Sequence, residues 1–102
     1  MFSMVLRKLK QESEIALRHL MVLHQVWKHQ PIGIFKLSEV LGMPKHRIRY
    51  SLRVLEQSGI IEPTQYGAII RENADREIEK LKTEILEILR NTEEVKKMIE
   101  EL

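Results

Sequence analysis

The last thirty residues of the chain, 73–102, contain neither glycine nor proline and place apolar side chains at a regular helical spacing. Alternating steps of three and four residues connect Ile78, Leu81, Ile85, Ile88, Thr92, Val95, Ile99 and Leu102. This heptad spacing is typical of a helix that packs an apolar stripe against another helix. Thirty residues of helix are about 45 Å long, and residues 1–72 are too few to cover that length.

We therefore predict that residues 73–102 form one helix that associates with a second copy of the chain. The alternatives are that it binds a different chain or folds back on its own domain. The residues expected at or near this contact are Ile78, Leu81, Ile85, Ile88, Val95 and Ile99. Asn73 is a good N-cap residue, and Asp75 and Glu77 are acids in the first turn, where the helix dipole favours them.

A second segment without glycine or proline, residues 3–29, predicts a long first helix. Its main apolar stripe is Leu6, Leu9, Ser13, Ala16, Leu20, Leu23 and Trp27, and its second apolar edge is Ile15, Val22 and Val26. A helix that is apolar on two sides is buried on two sides. One side can face its own domain, with Trp27 in the core, and the other a partner chain.

The polar residues 11–13 allow a break in this first helix. We therefore divide the chain into an N-terminal helical extension, residues 1–13, a central domain, residues 14–72, and the C-terminal helix, residues 73–102.

Two short helices with a sharp break between them are predicted in the middle of the chain. The first covers residues 36–41 and the second covers residues 44–58. Gly42 suits the left-handed position that closes a helix, and Pro44 suits the first turn of the next. Residues 34–36 either form a very short strand or lead directly into the first of these helices. The second helix is expected to bury Ile48, Leu52 and Leu55.

After Gly59 the apolar pattern changes from helical to extended. Residues 60–64 and 68–71 are short runs rich in β-branched side chains, and residues 65–67 connect them with glycine in the last position. This arrangement is typical of a β-hairpin. Pro63 has no amide hydrogen and therefore suits an edge of the sheet.

Residues 37–61 also carry a motif: a short helix ending in Leu-Gly, a small turn, and a helix with basic and polar outward positions. Its second half matches the pattern Leu-x-x-Leu-Glu-x-x-Gly followed by two branched aliphatic residues, at Leu52, Leu55, Glu56, Gly59, Ile60 and Ile61. The segment closely resembles the helix-turn-helix of winged-helix transcription regulators, including the small archaeal-type prokaryotic members.

This resemblance covers about residues 14–72. It implies a mainly α winged helix-turn-helix fold with a small β-hairpin wing and long N-terminal and C-terminal helices. It also implies a transcriptional regulator that binds double-stranded DNA as a homodimer.

Positive charge is concentrated in the part of the chain that carries this motif. Residues 1–72 hold 11 Lys and Arg against 6 Asp and Glu, a net charge of +5. Residues 73–102 hold 6 Lys and Arg against 9 Asp and Glu, a net charge of −3. A basic body of this kind favours nucleic acid as a partner.

The predicted helix 44–58 presents basic and aromatic side chains opposite its buried stripe. The candidate DNA-binding residues on it are Lys45, His46, Arg47, Arg49, Tyr50 and Arg53. Lys45 and His46 lie in the first turn, which usually meets base edges in the major groove. Arg49 can form a bidentate contact with guanine or with a phosphate. Arg47 and Arg53 are expected on the flanks, where phosphates lie.

The predicted hairpin offers fewer contacts to DNA. Its tip carries Gln65 and Tyr66 and no cation, although wings that enter a minor groove usually present basic side chains. Arg71 is the one cation of the wing and is the last candidate for a DNA contact. Tyr66 either stacks on a sugar or packs on the protein, and packing is the expected role.

No residue pattern in the chain indicates an enzyme, a metal or a cofactor. Cysteine is absent, which excludes disulfides, thiolate metal sites and cysteine nucleophiles. No catalytic Ser/His/Asp arrangement, carboxylate pair or glycine-rich phosphate loop stands out. His19, His24 and His29 are five residues apart, about 140° on a helix, so they share no face.

No apolar run approaches the roughly 18 residues that a membrane span needs. Cations interrupt the first ten residues, and no cleavage site of small residues follows them. The sequence therefore predicts a cytoplasmic protein without a membrane partner.

Two functions are compatible with this fold prediction. The first is a DNA-binding regulator, and the alternative is a winged-helix module that binds other proteins in a larger complex. The cations on residues 44–58 favour the first, because a protein-binding module has no need of four of them there.

Overall fold

The computed structural model describes all residues, 1–102, as four helices and one β-hairpin. The elements in chain order are α1 (Phe2–His29), α2 (Ile34–Leu41), α3 (Lys45–Gln57), β1 (Ile61–Thr64), β2 (Gly67–Ile70) and α4 (Asp75–Glu100). They form two compact units, residues 1–72 and residues 73–102. The prediction of a mainly helical chain with a small antiparallel hairpin is confirmed.

Helix α1 runs through residues 11–13 without a break. It buries Val22 and Val26 completely and Leu23 almost completely. The side of α1 that faces the core is therefore its second apolar edge, which includes Val22 and Val26. Most of the main apolar stripe faces away from the core. The prediction that Trp27 belongs to the core was wrong, because this side chain is 62% exposed.

The turn between α2 and α3 is fixed by local hydrogen bonds. Gly42 adopts a left-handed conformation, with φ 64° and ψ 27°, and its amide donates to the carbonyl of Ser38 at 2.9 Å. The Ser38 hydroxyl donates to the carbonyl of Met43 at 2.5 Å. Pro44 precedes α3 in an extended conformation, and its carbonyl accepts the amide of Arg47 at 3.0 Å. These bonds set the direction in which α3 leaves α2.

Helix α3 packs on both α1 and α2. It buries Ile48 and Leu55, as predicted, but the third buried residue is Ser51, and Leu52 is only half-buried. The hydroxyl oxygen of Ser51 lies 2.7 Å from Nδ1 of His19 on α1. A small polar residue is tolerated in this core because its hydroxyl has a hydrogen-bond partner there.

The hairpin pairs β1 with β2 in antiparallel register, from Ile61 opposite Ile70 to Thr64 opposite Gly67. Its connection is therefore Gln65 and Tyr66 alone, one residue shorter than predicted, because Gly67 belongs to β2.

A third segment pairs with the outer edge of β2. The amide of Ala68 donates to the carbonyl of Ile32 at 2.8 Å, and the amide of Ile32 donates back at 3.1 Å. The side-chain oxygen of Gln30 extends this edge by accepting the amide of Ile70 at 2.8 Å. The extended pairing thus comes just before α2, and residues 34–36 are helical.

Pro63 lies on the edge strand β1, as predicted. It is opposite Ala68, whose amide and carbonyl bond to Ile32 on the far side. Pro63 therefore occupies a non-hydrogen-bonded pair position between β1 and β2. Because no backbone hydrogen bond forms there, the absence of an amide hydrogen on proline does not weaken the sheet.

Gly67 is the residue whose replacement should destabilise the fold most clearly. Its φ is 128°, and a Cβ placed there would lie 2.6 Å from the carbonyl oxygen of Ile32. We expect Gly67→Ala to lower the free energy of unfolding by at least about 2 kcal/mol, through backbone strain and overpacking.

Gly33→Ala is the matched control, because a Cβ on Gly33 meets nothing within 4 Å. It should change stability by less than about 1 kcal/mol. Urea denaturation of both variants measures the difference, and equal losses would contradict this account of the Ile32–β2 contact.

Helix α4 forms the second unit and contains no buried residue. It begins at Asp75, with Ala74 rather than Asn73 as its N-cap, so the predicted side-chain cap is absent. Asn73 instead adopts a left-handed φ of 68°, a conformation that asparagine tolerates better than most residues. No helix of the chain combines the length and the apolar character that crossing a membrane requires.

Candidate nucleic-acid interface

The predicted DNA-binding residues of α3 are all exposed and lie on one short helix. The opposite side of that helix is defined by its buried residues, Ile48, Ser51 and Leu55. At about 100° per residue, His46 and Arg53 point almost directly away from this buried side. Arg53 is therefore central on the exposed face, although we expected it on a flank.

The other candidates on α3 spread to either side of this centre. Arg49 and Tyr50 are about 50° from it, on opposite sides, and Lys45 and Arg47 are about 90–110° from it. We call the six exposed side chains the α3 face: Lys45, His46, Arg47, Arg49, Tyr50 and Arg53.

The cations of the α3 face have no acidic partner within the chain. The five ion pairs of the structure lie within α2, as Lys36–Glu39, and within α4. Glu56, the only acid of α3, is half-buried and forms none of them. The positive potential of the four cations is therefore available to an external anion.

Phe35 of α2 extends the α3 face and was missed by the sequence prediction. Its side chain is 71% exposed, and Nζ of Lys45 lies 4.3 Å from the centre of its ring. Attraction between the ammonium and the ring restricts where Lys45 can point. A single phenylalanine at the start of a short helix gives no periodic signal, so nothing in the sequence distinguished it from a core residue.

His19 anchors the α3 face to α1. Besides its hydrogen bond to Ser51, its ring packs on Tyr50 with centroids 5.4 Å apart and planes inclined by 56°. Burial, with a smaller contribution from the neighbouring charge of Arg18, lowers the pKa of His19 below its ordinary value of 6.5. The neutral imidazole is thus the form that this contact favours.

Stability should depend on pH through His19. The unfolded chain takes up a proton near pH 6.5, whereas the folded chain takes it up only at lower pH, so acid favours unfolding. The stabilisation is fully present above pH 6.5 and is lost as pH falls towards the lower folded pKa.

We expect the difference in unfolding free energy between the parent and His19→Asn to shrink as pH falls from 7.5 to 5. Urea denaturation at several pH values measures it. A difference that is constant over this range would contradict the assigned environment of His19.

The hairpin places its residues differently from the prediction. Tyr66 at the tip is 75% exposed, so the expectation that it packs on the protein was wrong. Arg71 is exposed at the opposite end, where its amide donates to the carbonyl of Ile60 at 2.8 Å. The one cation of the predicted wing thus lies at the base of the hairpin, and the tip offers an aromatic ring alone.

Comparison with known proteins adds no family to this description. No protein-family model matches the sequence, and no curated protein matches it either. The functional assignment therefore depends on the α3 face and on the elements that present it.

Proposed function

We propose that this chain is a winged helix-turn-helix protein that binds double-stranded DNA as a homodimer and regulates transcription. The observation that carries the proposal is the α3 face, on which four cations are exposed and unpaired. A tight turn joins the short helix α2 to α3. A basic helix that follows a shorter helix in this way is suited to insertion into a major groove. The hairpin that follows α3, with Ile32 on its far edge, is the arrangement expected of a wing.

Within this proposal the centre of the α3 face reads bases and its edges bind phosphates. His46 and Arg53 are nearest the centre, and Arg49 is about 50° from it. Either arginine can contact the O6 and N7 atoms of guanine. Lys45 and Arg47 lie at the edges, where the sugar-phosphate backbone passes. Arg71 is a further phosphate contact if the base of the hairpin approaches the DNA backbone.

Helix α4 supports the dimeric part of the proposal. Its heptad stripe remains accessible: Leu81 is 39%, Ile85 57%, Ile88 46% and Ile99 47% exposed, and Ile78 and Val95 are half-buried. Exposed apolar stripes of this length mark association surfaces. The net charge of −3 on residues 73–102 is suited to a position away from DNA phosphates.

A two-fold dimer predicts the form of the DNA site. Two α3 helices related by this symmetry require an inverted repeat, with half-site centres about 34–36 Å apart or a multiple of that distance. Selection of bound fragments from random duplex DNA, followed by footprinting, tests this. We expect an enriched inverted repeat with two protected half-sites.

Two results would count against the proposal in different ways. A single protected stretch without internal symmetry, bound by one protomer, would exclude the dimer model. Failure to enrich any sequence, together with no measurable duplex binding, would favour the alternative of a protein-binding module.

A further inference from the structure

Helix α1 carries a heptad-spaced apolar stripe that the protein leaves largely open to solvent. We call it the α1 seam; it consists of Phe2, Leu6, Leu9, Ser13, Ala16, Leu20, Leu23 and Trp27. Successive members are four and three residues apart throughout, which is the spacing of a coiled-coil contact over almost four heptads.

The exposure of the α1 seam is substantial for apolar side chains. Phe2 is 65%, Leu9 43%, Leu20 37% and Trp27 62% exposed. Leu23 is the exception, because it is buried in its own unit, where it joins the seam to the core. A 28-residue helix is about 42 Å long, and its core contacts are confined to its second half.

The sequence of the α1 seam is symmetric about its middle. Counted inwards from the two ends, aromatic residues pair first (Phe2 with Trp27), then leucines (Leu6 with Leu23 and Leu9 with Leu20), then small residues (Ser13 with Ala16). The residue numbers of every pair add up to 29, so all four pairs meet in one antiparallel register. In a two-fold interface, residue i of one copy contacts residue j of the other, and j of the first contacts i of the second. A two-fold axis at the middle of the α1 seam therefore pairs side chains of similar size along its whole length.

We propose that α1 is a self-docking surface that pairs with α1 of a second copy in this antiparallel register. In this pairing, large side chains contact large side chains towards both ends of the seam. The two helix backbones approach each other most closely in the middle, where Ser13 and Ala16 are small. At each end Phe2 of one copy meets Trp27 of the other, and aromatic pairs of this kind stabilise contacts beyond the area that they bury.

Charge favours the antiparallel direction over the parallel one. The first ten residues hold Arg7, Lys8 and Lys10 and no acid. A parallel pair would gather six cations, and both positive helix ends, at one end of the assembly. The antiparallel pair places each basic segment beside residues 19–22 of the partner and opposes the two helix dipoles.

This pairing is independent of the proposed DNA binding and uses a surface separate from α4. Because the chain contains no cysteine, disulfide cross-linking can test it without background. The variants are Leu9→Cys and Leu20→Cys in the full chain, expressed singly and together, with circular dichroism to check the fold.

We expect the co-expressed variants to form a disulfide between position 9 of one copy and position 20 of the other. Each variant alone should stay unlinked, because identical positions would be about 16 Å apart along the helix, beyond the roughly 7 Å between Cα atoms that a disulfide allows. Gln11→Cys with Arg18→Cys is the matched control: its residue numbers also add up to 29, but both side chains point away from the seam.

The proposal is overturned if the 9–20 link forms no faster than the control pair. It is overturned equally if each single variant links to itself, which would indicate parallel helices. DNA binding of the parent is measured separately, so failure of the cross-link and failure of the proposed function are distinguishable.

Discussion

Arg49→Ala should weaken binding to the preferred duplex by about 1–3 kcal/mol, or roughly five- to more than a hundredfold in Kd. The guanidinium is exposed and free of any acid, so its loss removes an external contact and leaves the fold intact. If Arg49 reads a base, binding to unrelated duplexes should fall much less. Titration of both duplexes by fluorescence anisotropy separates these two effects.

Three further substitutions, Arg53→Ala, Lys45→Ala and the control Arg90→Ala, complete this experiment. Arg53→Ala tests the residue that lies at the centre of the α3 face: a base contact would reduce discrimination, whereas a phosphate contact would weaken all duplexes alike. Arg90→Ala removes an exposed arginine of α4 and should leave binding at the parent value. If Arg49→Ala, Arg53→Ala and Lys45→Ala all bind like the parent, α3 is not the reading helix.

Ile85→Lys should impair self-association through α4. Ile85 is 57% exposed and occupies a heptad position. Burying an isoleucine contributes about 1.5–3 kcal/mol, and a symmetric contact loses that contribution twice while an ammonium must enter the apolar stripe. We expect the concentration at half association to rise at least a hundredfold, as measured by sedimentation equilibrium over a concentration series, with Leu9→Lys present in every protein compared so that the α1 seam does not contribute.

Thr83→Lys is the matched control for this experiment. It adds the same charge two residues away, at an exposed position outside the heptad stripe. It should therefore associate like the parent. Equal association of the parent and Ile85→Lys would show that the stripe on α4 is not a contact between copies.

The extent of the helices could be predicted because local signals determine it. Absence of glycine and proline over residues 3–29 and 73–102 predicted two long helices, and both formed. Gly42 and Pro44 placed the break between α2 and α3 correctly. Glycine readily adopts the left-handed conformation that ends a helix, and the proline ring fixes φ, so few other backbone conformations are open to this segment. The hairpin was also predicted from local signals, the two β-branched runs and the glycine between them. Its loop was predicted one residue too long, because Gly67 belongs to β2.

The side of α1 that faces the core could not be predicted from the sequence. Both apolar edges of α1 satisfy the helical period, and periodicity alone cannot rank them. The choice depends on tertiary contacts: the edge that includes Val22 and Val26 packs inwards, where His19 meets Ser51 and Tyr50. Trp27 is exposed because it lies on the other edge of α1, which faces away from the core.

The candidate site was predictable in its charges and not in its aromatic neighbours. Four cations within residues 45–53 are visible in the sequence, and their exposure follows once Ile48 and Leu55 are buried. The contact between Phe35 and Lys45 links two helices across a turn, and no sequence spacing encodes it. The central position of Arg53 was missed because the buried side includes Ser51 instead of Leu52.

If the cations of the α3 face bind duplex DNA, the affinity must decrease steeply as the salt concentration rises. The measurement is anisotropy titration of a mixed-sequence duplex between 50 and 200 mM salt, with three proteins. These are the parent, a variant with Lys45, Arg47, Arg49 and Arg53 changed to glutamine, and a control with Arg76, Lys80, Lys82 and Arg90 changed to glutamine.

Both variants lose four positive charges, so net charge alone cannot separate them. We expect the affinity of the parent and of the α4 control for the duplex to decrease steeply as salt rises, by about 0.9 logarithmic units per phosphate contact for each tenfold increase in salt. The α3 variant should bind at least a hundredfold more weakly and with a shallower salt dependence. Equal binding by the α3 variant and the parent, or no duplex binding by the parent, would show that the α3 face is not a DNA-binding surface.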